Sequence, residues 1–385
     1  MKSVTLPNNL KELRYGAFLS CSSLAEIQLP NTVEKFQRAV FKGCTSLKEI
    51  TLPATVSTFN AQVFMNCSNL AKVTVLNPTP VALTESMDVF NGISATAELN
   101  VPGSSLNAYK TAEVWKNFYS YFASDGIKLV DGEPYTRTVS EVVPMVRYTR
   151  TFSTSSVNNW LALCIPFSID VVSDDYEIGK ILVFCPVKDT NGDGTIDGND
   201  ESFLIVSPCK SGKTEANAPY MIRPKKSGDI VFTEENCTLH AANAGELHFS
   251  TTENSYSVYG LLQNSVVATV ENQYYYMSAT GNLNHRTTGS TTVKPNSWYL
   301  TMSKKTYGSD EVDDMSSNAR EIQIFTIGED MDEATAIGII EAGTGHKSEK
   351  ASDNSVYTLS GMKVDNVDNL PAGIYVKNGK KFVVK

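Results

Sequence analysis

Leu47-Lys48-Glu49-Ile50-Thr51-Leu52-Pro53 decides the architecture of the N-terminal third of this chain. The same text precedes it as Leu24-x-x-Ile27-x-Leu29-Pro30 and follows it as Leu70-x-x-Val73-x-Val75, each copy 23 residues from the last. Cys21, Cys44 and Cys67 share this period, and Phe18, Phe41 and Phe64 each stand three residues before their cysteine. A fixed period of this size predicts a solenoid, because one unit cannot bury its apolar face without stacking on the next. Alternation in the last three positions sends Ile27 and Leu29 inward and leaves Glu26 and Gln28 outside. Pro30 stops the ladder, having no N–H to give. The remaining half turn, through Val33, Phe36 and Phe41 to Cys44, returns the chain as a short second strand or a helical turn.

The phase runs backward to Met1, which falls where Leu24 falls one period later; Val4, Leu6 and Pro7 match Ile27, Leu29 and Pro30. The chain thus starts inside a repeat, and we expect a fragment whose signal peptide and further repeats lie upstream. Forward, Phe90-Asn91-Gly92-Ile93 and Leu99-x-Val101-Pro102 form an altered turn after an insertion containing Pro78 and Pro80. Leu106, Tyr109, Trp115 and Phe118 are spaced for a short amphipathic helix within Ser104 to Phe122, read as a cap that plugs the last repeat. The cysteines fill one inward slot and are expected to be buried thiols acting as small hydrophobes. Seven cysteines cannot all pair within one chain; Cys164, Cys185, Cys209 and Cys237 leave one disulfide open.

Leu29-Pro30, Phe41-Lys42-Gly43-Cys44, the 47–53 run and the closing Val101-Pro102-Gly103-Ser104-Ser105-Leu106-Asn107-Ala108-Tyr109-Lys110 resemble the BspA-like leucine-rich repeat family of bacterial surface proteins. The resemblance implies display outside the cell and attachment to host proteins or other cells. A binding surface on the exposed strand face would use Glu26 and Gln28, Glu49 and Thr51, Lys72 and Thr74, extended by Ser3 and Thr5 at one end and Glu98 and Asn100 at the other. Five strands make a face only about 20 Å wide, small for a standard protein interface.

The whole chain of 385 residues fits two or three domains. We expect a leucine-rich repeat β/α solenoid with its cap over 1–125, an all-β sandwich-like domain over 133–330, and a small β module over 354–385. A net charge of −9 disfavours nucleic acid, whose phosphates need clustered Lys and Arg, and no apolar run is long enough to span a membrane. From Tyr135 onward, short runs rich in Val, Ile, Tyr, Phe and Thr alternate with turn residues: Val139 to Arg147, Trp160 to Pro166, Lys180 to Val187, Glu201 to Val206, Pro219 to Arg223, Gly228 to Phe232, Ser255 to Gly260, Tyr274 to Ser278, Ser297 to Met302 and Glu321 to Thr326. Such spacing indicates antiparallel sheets. The Trp160-to-Phe167 and Ala218-to-Ile222 stretches resemble β-domains that follow such repeats in similar surface proteins, with no activity attached.

One segment carries metal chemistry. Asp189-Thr190-Asn191-Gly192-Asp193-Gly194-Thr195-Ile196-Asp197-Gly198-Asn199-Asp200 sets oxygen ligands at loop positions 1, 3, 5, 9 and 12, with a glycine at 6. Asp189, Asn191, Asp193, the Thr195 carbonyl, Asp197 and Asp200 match the calcium-loop spacing. Asp200 replaces the longer Glu at position 12, and strand-like flanks make this a hairpin loop and not a helix pair. A polar hairpin tip without Ca2+ is the alternative.

No catalytic constellation stands out. His240, His248, His285 and His346 are scattered, and Ser211-Gly212-Lys213-Thr214 lacks the first glycine of a phosphate loop. Tyr274, Tyr275 and Tyr276 offer either an aromatic patch for sugars or ordinary alternating strand burial. The tail, with Val356-Tyr357-Thr358-Leu359-Ser360-Gly361, Gly373-Ile374-Tyr375-Val376 and a basic last strand, resembles the sorting modules of type IX secretion cargo. Asn378-Gly379 signals a hairpin. The resemblances together imply a non-enzymatic protein at the outer surface of a Gram-negative bacterium, or secreted from it, that binds an extracellular protein. Carbohydrate binding by the all-β domain, or a spacer role, is the alternative.

Overall fold

In a computed structural model, the described residues are 2–186, 202–250, 254–269, 274–284, 286, 288–304, 323–329 and the strand positions 356–358, 363–364, 373–377 and 380–384. The chain divides into two compact units: Met1–Lys128 with Val142–Arg147 and Thr233–Cys237, and the remainder, Leu129–Glu141, Tyr148–Phe232 and Thr238–Lys385.

In the first unit the 23-residue period becomes parallel pairing in register. Glu49–Leu52, Lys72–Val75, Glu98–Val101 and Ser120–Ala123 form one four-stranded parallel sheet, with Glu49 opposite Lys72 and Lys72 opposite Glu98. Glu12–Leu13, Lys35–Phe36 and Thr58–Phe59 form a second, so the return half is a two-residue strand followed by a turn. The β/α expectation is therefore corrected: the helical elements among the described residues before Pro102 reduce to the 3-10 turn Glu85–Met87.

Backbone conformation supplies the reason. Gly16, Ala39, Gln62 and Asp88 have φ of 59°, 59°, 64° and 51°, and Ser20, Gly43, Asn66 and Gly92 have 58°, 74°, 57° and 76°. Two left-handed residues per repeat interrupt any right-handed helix. The turns between them stack instead. The amides of Gly16, Phe18 and Ser20 donate to the carbonyls of Arg38, Val40 and Lys42 at 2.7–3.1 Å, and Ala39, Phe41 and Gly43 repeat this onto Ala61, Val63 and Met65.

The interior is a set of columns. Phe18, Phe41, Phe64 and Phe90 stack ring on ring at 5.3, 5.4 and 5.5 Å, nearly parallel in each step. The Cys44 thiol donates to the Phe18 carbonyl at 3.1 Å and the Cys67 thiol to the Phe41 carbonyl at 3.0 Å. Burial pushes these thiols up, to about 11 for Cys44 and about 12 for Cys67, so they are protonated packing groups. Cys164 and Cys209 are likewise thiols outside any disulfide.

The predicted cap helix is shorter than expected. It spans Leu106–Thr111, between 3-10 turns at Gly103–Ser105 and Trp115–Asn117. Extended Ala112 ends it, and Val114 at φ 70° redirects the chain. Residues 120–122, the end of the stretch read as the cap, belong to the fourth parallel strand. The plug itself holds: Trp115 is fully buried against Phe59, Phe90 and Tyr109 at 6.1, 5.2 and 5.4 Å. Its indole donates to the Val81 carbonyl at 2.8 Å, and the Tyr109 hydroxyl donates to that of Asn77 at 2.8 Å.

In the second unit, each predicted strand run from Trp160 to Thr326 falls on an observed strand. Leu161–Leu163, Tyr220–Pro224, Tyr176–Pro186, Ser202–Pro208 and Gln323–Thr326 form one sheet in that order; Glu246–Ser250, Asn254–Leu261, Ser297–Lys304, Tyr275–Met277 and Leu283–Asn284 form another. Trp160, Leu204, Val206 and Met221 of the first share a core with Tyr256, Val258, Trp298 and Leu300 of the second. In the tail, Val356–Thr358, Lys363–Val364, Gly373–Lys377 and Lys380–Val384 form a four-stranded antiparallel sheet in which Lys377 faces Lys380, the two-residue spacing of the hairpin signal.

Candidate functional site

The strand face of the repeats carries two polar rows made by the pleat. Ile50, Leu52, Val73 and Val75 point into the core, so Glu49, Thr51, Lys72 and Thr74 must point out. Register sets Glu49 beside Lys72 and Thr51 beside Thr74. Glu26 and Gln28 are exposed on either side of buried Ile27, although 26–29 is not a ladder strand. The six expected residues therefore share the outward-facing positions of three successive repeats. The Lys72 ammonium lies 3.7 Å from the Glu49 carboxylate, with both side chains largely in water. Such a pair adds little stability and remains available to a ligand. Ser3 and Thr5 are exposed at the N-terminal end.

The C-terminal end of the face differs from the expectation. Asn100 is buried and Glu98 is half-buried, and Val142–Arg147, which belongs to this unit, brings Arg147 onto Glu98. Arg147 pairs with the Glu98 carboxylate, donates to the Tyr121 carbonyl at 3.0 Å, and lies 4.7 Å from the Phe122 ring. Met145 enters the repeat core, and Pro144 occupies the space that a Cβ at Gly103 would fill. Asn100 donates to Thr74 at 3.5 Å, while its Oδ1 and the Arg147 Nε have no partner among the described residues. Sequence pattern could not foresee this cover, because the covering Arg147 comes 49 positions after Glu98.

The calcium-type residues Asp189, Asn191, Asp193, Thr195, Asp197 and Asp200 lie outside the described residues, as do His285 and His346. Strands Tyr176–Pro186 and Ser202–Pro208, which flank the loop, pair antiparallel. Tyr275 is buried in the second unit's core, whereas Tyr274 and Tyr276 are half-buried on the other side. Tyr299 stacks on Tyr259 at 5.2 Å and lies tilted against Tyr274 at 4.7 Å, so these rings pack on one another.

Stacked parallel strands with a buried Leu/Ile/Val/Cys/Phe interior and an outward polar face define a leucine-rich repeat scaffold over the first unit. Residues 1–107 match the family model described as BspA type leucine rich repeat region, in six copies. No curated protein and no solved structure matches the chain. No helix among the described residues is long and apolar enough to cross a membrane.

Proposed function

We propose that the chain is a non-enzymatic surface or secreted binding protein, with adhesion to an extracellular protein as its role and the repeat solenoid as its binding scaffold. The observation that carries this reading is the paired polar rows on the outward side of three repeats, Glu49 and Lys72 beside Thr51 and Thr74 on the sheet, continued by Glu26 and Gln28 on the segment before it. The family match over 1–107 supports it. The parallel sheet sets Glu49 and Thr51 about 4.8 Å from Lys72 and Thr74, so a partner meets a preorganised surface there and little conformational entropy is lost on binding. Coverage of Glu98 and Asn100 confines the free surface to the N-terminal repeats. The sandwich-like β-domain is a second module, and the tail, by its resemblance, serves export.

The test presents the full chain to an array of immobilised extracellular proteins and glycans, beside the variant Glu26→Lys/Glu49→Lys/Lys72→Glu. Loss of protein binding by the variant, with its melting temperature unchanged, is the expected result. Binding that survives these substitutions removes the strand face from the reading. Selective glycan binding that is insensitive to them moves the function to the β-domain. We also propose Ca2+ at Asp189 to Asp200 as a stiffener of that loop, on the ligand spacing alone.

A further inference from the structure

Gln323–Thr326 is the odd member of its sheet. The four preceding strands pair antiparallel in an unbroken row. This one lies parallel to Ser202–Pro208 at the edge, with Leu204 opposite Ile324 and Val206 opposite Thr326. Parallel pairing is the weaker kind, and a four-residue strand at an edge has few hydrogen bonds to spare. Its side chains make up the difference. The Trp160 indole donates to Thr326 Oγ1 at 2.9 Å inside the core. Just beyond the strand, the Ile327 amide donates to the Val206 carbonyl at 3.0 Å. The Glu329 carboxylate then receives both Arg223 Nη groups at 2.6 Å.

Arg223 is itself a built receptor. Its guanidinium lies 4.7 Å from the Trp160 ring and donates to Glu177 through Nε at 3.1 Å and Nη2 at 2.5 Å. Lys225 closes on the same Glu177 at 3.6 Å, and Lys226 pairs separately with Asp175 at 2.7 Å. Glu177 Oε2 accepts from both Nε and Nη2 and the guanidinium lies against Trp160, so Arg223 is held in place whether or not Glu329 is present. The receptor thus outlasts the group it receives.

We propose that Gln323–Glu329 is an ionic strap: an edge strand closed by the Arg223–Glu329 fork over Trp160, able to release locally while the two core sheets stay folded. Release would uncover the Ser202–Pro208 edge and free the Trp160 indole. Screening and protonation of Glu329 are the two levers, since the fork joins a single carboxylate to a guanidinium that keeps its charge.

The test is hydrogen exchange of the full chain at neutral pH, following peptides over 323–329 and 202–208, with 254–261 and 297–304 as controls. Glu329→Gln should speed exchange in both strap peptides roughly tenfold, the scale of one lost charge-assisted hydrogen bond, and leave the controls unchanged. Thr326→Val, which removes the indole's acceptor and leaves the Arg223–Glu329 fork in place, should speed the same peptides by a smaller factor. Unchanged strap peptides in Glu329→Gln would overturn the strap. So would equal acceleration of the controls, because the ion pair would then support the whole unit.

Discussion

Gly43 and Gly92 occupy the same turn position two repeats apart, yet substitution should cost different amounts. Both are left-handed, at φ 74° and 76°. At Gly43 an added Cβ meets Ser20 at an ordinary 3.5 Å, whereas at Gly92 it meets the Asn66 side chain at 2.6 Å. Gly43→Ala should therefore lose about 1 kcal/mol, the backbone penalty alone, and Gly92→Ala about 2 kcal/mol or more. Urea titration of both variants checks the order. The cysteine column makes a second prediction. Burial raises Cys44 to about 11 and Cys67 to about 12, from 9.0, so folding favours the neutral thiols. Their contribution is whole below pH 9 and shrinks as pH rises toward 12, where the unfolded chain ionises first. Thermal melts across that range should fall more steeply in the parent chain than in Cys67→Ala, and alkylation of native protein at pH 8 should spare both residues.

At the level of elements, the period makes the outward and inward positions legible. Alternation around Ile50, Leu52, Val73 and Val75 assigns Glu49, Thr51, Lys72 and Thr74 to the outside, because a pleat leaves no choice of side. The return half is less legible: Val33, Phe36 and Phe41 suit a strand or a helical turn, and the left-handed residues that decide include Ala39 and Gln62, whose types give no warning. The cap shows the same limit. Leu106, Tyr109, Trp115 and Phe118 fit a helical stripe, yet Val114 breaks it and Tyr121 and Phe122 join the sheet. Trp115 still closes the stack, and Trp115→Ala should cost about 3–5 kcal/mol, read as a lower denaturant midpoint for the first unit.

For the whole molecule, a chelator experiment tests the loop proposal. With Ca2+ bound to folded protein only, melting of the β-rich unit should shift downward when the ion is removed and recover when it is restored; an identical melt in both buffers removes the ion from that loop. Periods of 23 and of 2 are local properties that survive any packing, so the repeat scaffold, its polar rows and the strand-rich text after them follow from residue order alone. Where the exposed polar face ends is a matter of folding in three dimensions. Arg147 reaches Glu98 across 49 residues, and Arg223 meets Glu329 across 106; contacts at such separations follow from how strands are ordered in space, which no local pattern encodes.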